Sequence, residues 1–222
     1  ARRFFLNEVV AAEDSLVSAA DWDACATDER LQPGDRVVLG FDGSLREDAT
    51  VLMACRVRDR LFQPLGIWER PQGEAGRDWE VDREAVDEAV HTAFELYDVA
   101  AFYADLEHWE SYVDTWTRMY RERLLIKASP REPIAWDMRG RLQQSTAANE
   151  RLAAAIADPR VRHTLNARRR PNRYGISFGK ERRGSPKKVD AYAATLLADM
   201  ARHDLELSGK AKRSDRRVVV FR

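Results

Sequence analysis

The apolar residues of this chain change their spacing near residue 70, and that change limits the fold more than any single motif does. Before it, three apolar or β-branched runs follow one another over residues 36–41, 49–57 and 61–68. Their connections are short and polar, and Arg58-Asp59-Arg60 is a tight charged turn, so they predict an antiparallel meander. After it, Ala85, Val86, Ala89, Val90, Ala93, Phe94 and Leu96 recur at helical spacing with acids on the opposite face. Residues 99–105 then predict a buried strand ending in an acid. Residues 109–123 predict a helix, 124–128 a short strand, and 133–157 a long helix opened by proline and stopped by Asp158-Pro159. A closing helix over 188–205 carries Val189, Tyr192, Ala193, Leu196, Leu197 and Met200 on one face. Three antiparallel strands followed by alternating helix and strand predict an α/β fold, a mixed sheet with helices on its faces.

Length and composition set the bounds. At 222 residues the chain fits one large domain with appendages, and 44% hydrophobic residues are enough for a core. No run approaches the ~18–20 apolar residues of a membrane span. The start, Ala1-Arg2-Arg3-Phe4-Phe5-Leu6, meets Asn7 and Glu8 too soon to be a signal core, and without an initiator Met it reads as a processed chain or a piece of a longer one. Residues 1–34 read as an arm leading into a domain over 35–207, with a basic insertion at 159–188 and a basic tail at 208–222. Cys25 and Cys55 have no Cys-x-x-Cys spacing, which excludes a disulfide scaffold or cysteine zinc site and fits a reducing compartment.

Charge is neutral overall, 37 basic against 37 acidic residues, but it is sorted along the chain. Residues 69–114 hold 14 acids and 3 bases, net −11, whereas 159–188 hold 11 bases and 1 acid, net +10. Such runs are ordinarily solvated faces. The basic one also carries what a phosphate-binding surface needs.

Three acids end buried apolar elements. Asp42 closes the first strand, Asp105 closes the fourth, and Asp190 opens the last helix. Each taken singly is an ordinary turn or cap residue. Together they predict a carboxylate cluster outside the strand ends, where open sheets bind ligands. Clustered carboxylates repel unless a cation neutralises them, and an oxygen-only donor set suits Mg²⁺ or Mn²⁺. Two such ions, ~3.5–4 Å apart, support phosphodiester cleavage.

The motifs Gly40-Phe41-Asp42-Gly43-Ser44, Asp48-Ala49-Thr50-Val51, Phe102-Tyr103-Ala104-Asp105 and Lys187-Lys188-Val189-Asp190-Ala191-Tyr192-Ala193-Ala194, in that order and spacing, resemble the nuclease domain of the large terminase subunit of tailed bacteriophages. Leu165–Arg170 and Ile176–Glu181 are similar to that family's stretch before the last acid, and residues 1–30 to its segment linking ATPase and nuclease. The resemblance implies a ribonuclease H-like mixed sheet with helices on both faces. It assigns catalysis and metal binding to Asp42, Asp105 and Asp190; Asp48 matches a further metal-binding acid of some family members and reads otherwise as a turn acid between strands. Glu107 and His108 receive no role from it and read as surface residues or as supports behind the ligands. The implied activity is metal-dependent endonuclease cleavage of double-stranded DNA with little sequence preference, using Mg²⁺ or Mn²⁺, two ions per site. Arg168, Arg169, Arg170, Arg173, Lys180, Arg182, Arg183, Lys187 and Lys188 are then the DNA-binding set, holding phosphates without reading bases. Implied partners are DNA, the protein's own ATPase domain, the portal and the small terminase subunit, in the cytoplasm of an infected bacterium.

Gly175–Glu181 is no phosphate-binding loop, since Glu replaces the Ser/Thr and would repel phosphate, so ATP hydrolysis is not expected of this chain. Two alternatives stand beside the terminase reading: a Holliday-junction resolvase or ribonuclease H of the same fold, and a non-catalytic DNA-gripping or docking module. Tyr174 and Phe178 read as hairpin packing before base stacking. His163 reads as a structural hydrogen-bonding residue before a phosphate contact.

Overall fold

The computed structural model describes Val17 and residues 19–46, 49–71, 73–138, 140–164 and 190–212, with Ala19, Ala75 and Asp190 described by their backbone alone. In chain order the elements are α1 (Ala19–Ala24), β1 (Arg36–Asp42), β2 (Thr50–Arg56), β3 (Leu61–Trp68), α2 (Arg83–Leu96), β4 (Asp98–Ala104), α3 (Glu110–Tyr120), α4 (Leu142–Ala157), β5 (Arg162–His163) and α5 (Asp190–Leu207). The described strands form one sheet in the order β4-β1-β2-β3-β5. The β1-β2-β3 meander is antiparallel, while β4 runs parallel to β1 and β5 parallel to β3.

Side-chain alternation along the strands builds two cores. Val37, Leu39 and Phe41 of β1 join Leu52, Ala54 and Phe102 beneath α2 and α3, which present Val86, Val90, Phe94, Val113 and Trp116. Val38 faces the other way, with Met53, Cys55, Ala101 and Tyr103, toward α4 and α5. Asp82 caps α2, its Oδ1 accepting from Ala85 N at 3.1 Å. The expected mixed sheet with helices on both faces is the one observed.

α5 rests directly on β1. A Cβ on Gly40 would lie 3.0 Å from Ala198 Cβ and far closer to Ala194 O and Ala198 N, so the absent side chain is what lets the helix approach. Farther along, Arg202 Nε donates to Val57 O (3.0 Å), Tyr103 Oη to Asp204 Oδ2 (2.7 Å) and Arg60 Nε to Asp199 Oδ1 (2.7 Å). Arg36 Nη1 reaches Lys210 O (3.4 Å), so α5 ends where β1 begins and the two run antiparallel.

Three local expectations differ from the structure. The long helix expected from Pro133 begins only at Leu142. Residues 134–136 are extended instead: Ala104 N donates to Ile134 O (3.0 Å), Trp136 N donates to Ala104 O (2.8 Å), and Ala135 bridges Ala104 in parallel. Burying Ile134 and stacking Trp136 on Tyr103 (4.7 Å) against the sheet outweighs the helical pattern of the segment. No strand forms over 124–128, where the amides of Leu125 and Ile126 share one acceptor, Ala100 O, and the chain then reverses through Ser129–Glu132. Residues 19–34, an arm by sequence, supply core: Trp22, Cys25 and Leu31 are buried, and Trp22 stacks on His163 at 3.9 Å. His163 Nε2 donates to Trp22 O (2.8 Å), the structural role expected of it.

Candidate metal and nuclease site

Asp42 is the last residue of β1 and Asp105 the first after β4. The two strands are parallel neighbours with Phe41 opposite Ala104, and the ladder continues one step, Asp105 N donating to Phe41 O at 2.9 Å. The carboxylates therefore stand at the same end of adjacent strands. Alternation puts Asp42 on the face of Val38 and Gly40, and Asp105 on that of Ala101 and Tyr103, which is the face α5 covers. Both are half-buried, and Asp105 Oδ1 accepts from Leu106 N at 2.8 Å.

The turn after Asp42 is anchored at both ends. Ser44 N donates to Thr50 Oγ1 (3.1 Å), whose hydroxyl donates back to Ser44 O (2.7 Å), and Val81 N donates to Leu45 O (3.0 Å). Thr50 is fully buried at the start of β2, so the pair of bonds ties the turn to the sheet.

Asp190 is the first residue of α5. Ala194 lies over Gly40, and from there the helix runs back ~6 Å to residue 190 while β1 runs ~6.6 Å to Asp42. The backbone of Asp190 thus reaches the level of Asp42, at the end of the sheet that holds Asp105. Near it on α5, Tyr192 donates to Asn149 Oδ1 (2.9 Å), and burial, followed by the charge of Asp199, pushes its phenol up to about 12.

Asp48 and the basic set Arg168, Arg169, Arg170, Arg173, Lys180, Arg182, Arg183, Lys187 and Lys188 lie outside the described residues, as do Tyr174 and Phe178. Among the described residues no group of three or more His, Cys, Asp or Glu stands together as a metal site. Of the predicted ligands, Asp42 and Asp105 are the two whose side chains are described, and their all-oxygen chemistry suits a hard divalent cation. Glu107 and His108 are exposed beside it, as expected.

Sequence reasoning misses three residues here. Asp137, mid-helix by its sequence pattern, follows the Ala135 bridge to the same end of the sheet, its Oδ1 accepting from Gly140 N at 3.0 Å. Gly40 and Trp109 read in sequence as a motif glycine and a core aromatic, and their contacts to α5 and to Gly43 appear only in three dimensions. A groove between β3 and α2, lined by Pro64, Leu65, Ala89, Leu96 and Tyr97, opens on the opposite face from the carboxylates. It is not part of this site.

The chain shares its fold with a solved phage large terminase. The structure matches the crystal structure of the HK97 bacteriophage large terminase with a TM-score of 0.58 at 13% identity, over 85% of this chain and 43% of that one. A looser likeness, TM-score 0.46 at 14% identity, covers 83% of this chain and 96% of the large terminase nuclease from thermophilic phage G20c. In sequence the chain is similar to the Gene 13 protein of Mycobacterium phage L5, 44% identical over 99% of this chain, and to that of Mycobacterium phage D29, 42% identical over 100% of it. It spans 40% of the length of each of these two relatives. No protein-family model matches it. No helix among the described residues is long and apolar enough to cross a membrane.

Proposed function

We propose that this chain is the endonuclease unit of a phage DNA-packaging terminase, cutting double-stranded DNA with little sequence preference by metal-dependent phosphodiester hydrolysis. The observation that carries the reading is the placement of Asp42 and Asp105 at the carboxyl ends of adjacent parallel strands, on the face covered by the helix that Asp190 opens. Asp42, Asp105 and Asp190 hold Mg²⁺ or Mn²⁺, two ions per site, with Asp48 as a further ligand. Bound there, such ions supply Lewis-acid activation of water and charge neutralisation at the scissile phosphate. The chain's own residues bind and orient: carboxylates fixed on two strands and one helix set the geometry, and the basic residues between 168 and 188 hold DNA phosphates.

In this reading the partners are DNA, the ATPase portion of the same protein, the portal and the small terminase subunit, in the cytoplasm of the infected host. The chain itself hydrolyses no ATP.

Supercoiled-plasmid cleavage with Mn²⁺, Mg²⁺ or chelator, alongside Asp42→Asn, tests the proposal. Nicking and linearisation that need metal and vanish in the folded mutant are the expected result. Salt-sensitive DNA binding without cleavage in either metal would favour a gripping module. A preference for four-way junctions or RNA–DNA hybrids would point to a resolvase or ribonuclease H.

A further inference from the structure

Trp109 joins the two carboxylate-bearing turns. It lies four residues after Asp105, in the turn Leu106–Trp109, where its amide donates to Leu106 O at 2.9 Å. His108 takes a φ of 68°, a left-handed conformation that costs a non-glycine residue energy and that swings the chain so residue 109 enters the core. The indole is fully buried, edge-on to Phe41 (5.1 Å, 77°) and beside Trp116. Its pyrrole edge meets the backbone next to Asp42: a Cβ on Gly43 would lie 2.5 Å from Trp109 Cδ1 and nearer still to Nε1. Nε1 is buried, has no hydrogen-bond partner among the described residues, and lies in steric contact with Gly43.

We propose that Trp109 is a positioning residue for the metal site: its indole edge is the surface on which the Asp42–Gly43 backbone rests, and because the indole is carried by the Asp105 turn, one side chain sets the spacing of the two carboxylates. The inference rests on Asp42 and Asp105 being metal ligands. Gly43 is then required for close approach, since any side chain there pushes the turn off the indole. The neighbouring Trp116 is equally buried but directs its Nε1 to Asp87 (2.7 Å), away from the carboxylates.

The test is Mn²⁺ binding to the whole chain, followed by the paramagnetic resonance of free Mn²⁺, with thermal melting of each variant. Wild type binds Mn²⁺ and Asp42→Asn does not. Gly43→Ala weakens binding about 10-fold or more, the loss typical when support for a metal ligand is removed. Trp109→Leu also weakens it, and Gly43→Ala costs less when added to Trp109→Leu than alone, because leucine can turn its methyls away from residue 43 and only the approach to Phe41 Cε1 (2.8 Å) remains. Trp116→Leu lowers the melting temperature as a comparable core loss but leaves Mn²⁺ affinity within about 2-fold of wild type. Gly43→Ala binding as wild type does, or Trp116→Leu weakening Mn²⁺ as much as Trp109→Leu, overturns the positioning role while Asp42→Asn still upholds the metal site. No Mn²⁺ binding that Asp42→Asn removes overturns the metal-site reading, and this inference with it.

Discussion

Gly40 and Asp42 lie two residues apart on the same face of β1 and do opposite things: one has no side chain so that α5 can approach, the other offers a carboxylate where α5 begins. Gly40→Ala forces a methyl into the backbone of Ala194 and Ala198. It is expected to cost about 1–3 kcal/mol of stability, measured by urea unfolding, and to lower cleavage more than its melting temperature alone explains, because α5 carries Asp190. Asp42→Asn is expected to act the other way, abolishing metal-dependent cleavage in a protein that still folds, since it removes a charge at nearly constant side-chain size. At this scale the sequence is legible for the acids: Asp42 and Asp105 each end an apolar run, and Asp190 opens the last helix. Gly40 is visible as a letter but not as a contact, because its partner lies more than 150 residues away.

Arg56, at the end of β2, shows how elements are tied together at the opposite end of the sheet from the carboxylates. Its guanidinium is 1% exposed and pairs with Asp59 (2.6 Å), Asp35 (3.3 Å) and Glu29, while Arg162 of β5 reaches Glu29 and Asp59 as well. Hydrogen bonds from Arg56 and then Arg162 hold the Glu29 carboxyl below its usual range. For Asp59, burial pulls upward, but the bond to Arg56 and the charges of Arg56, Arg58 and Arg162 outweigh it and the net is downward. Carboxylates depressed by folding stabilise the protein above their unfolded values, about 4, and that contribution is lost as pH falls through the folded ones. Urea midpoints are therefore expected to drop steeply below about pH 4 in wild type and less steeply in Arg56→Met. At neutral pH, Arg56→Met is expected to cost about 2–4 kcal/mol, less than a fully buried pair because Glu29 and Asp59 reach solvent. This network also explains why residues 19–34 pack as part of the domain. Read along the chain, Glu29 and Asp35 are two more charges near a Pro-Gly turn. Only β2 and β5, brought alongside, make them partners.

For the whole molecule the sorted charge is the informative quantity, since a neutral total conceals segments of net −11 and +10. If the basic segment grips DNA, affinity falls steeply with salt. Replacing Arg168, Arg169 and Arg170 by Ala is then expected to lower the slope of log affinity against log salt by roughly 0.9 for each phosphate no longer neutralised, with no change in sequence preference. Filter binding from 50 to about 200 mM salt checks it. The sequence alone determined the meander, the helical period after residue 82, the acid at each element end and the split of charge, because periodicity and local chemistry depend on near neighbours. Only the tertiary structure decided that residues 134–136 extend beside β4, that residues 19–34 enter the core, and that Trp109 meets Gly43. In each of these the stabilising surface comes from a part of the chain distant in sequence, and burial against it outweighs local propensity.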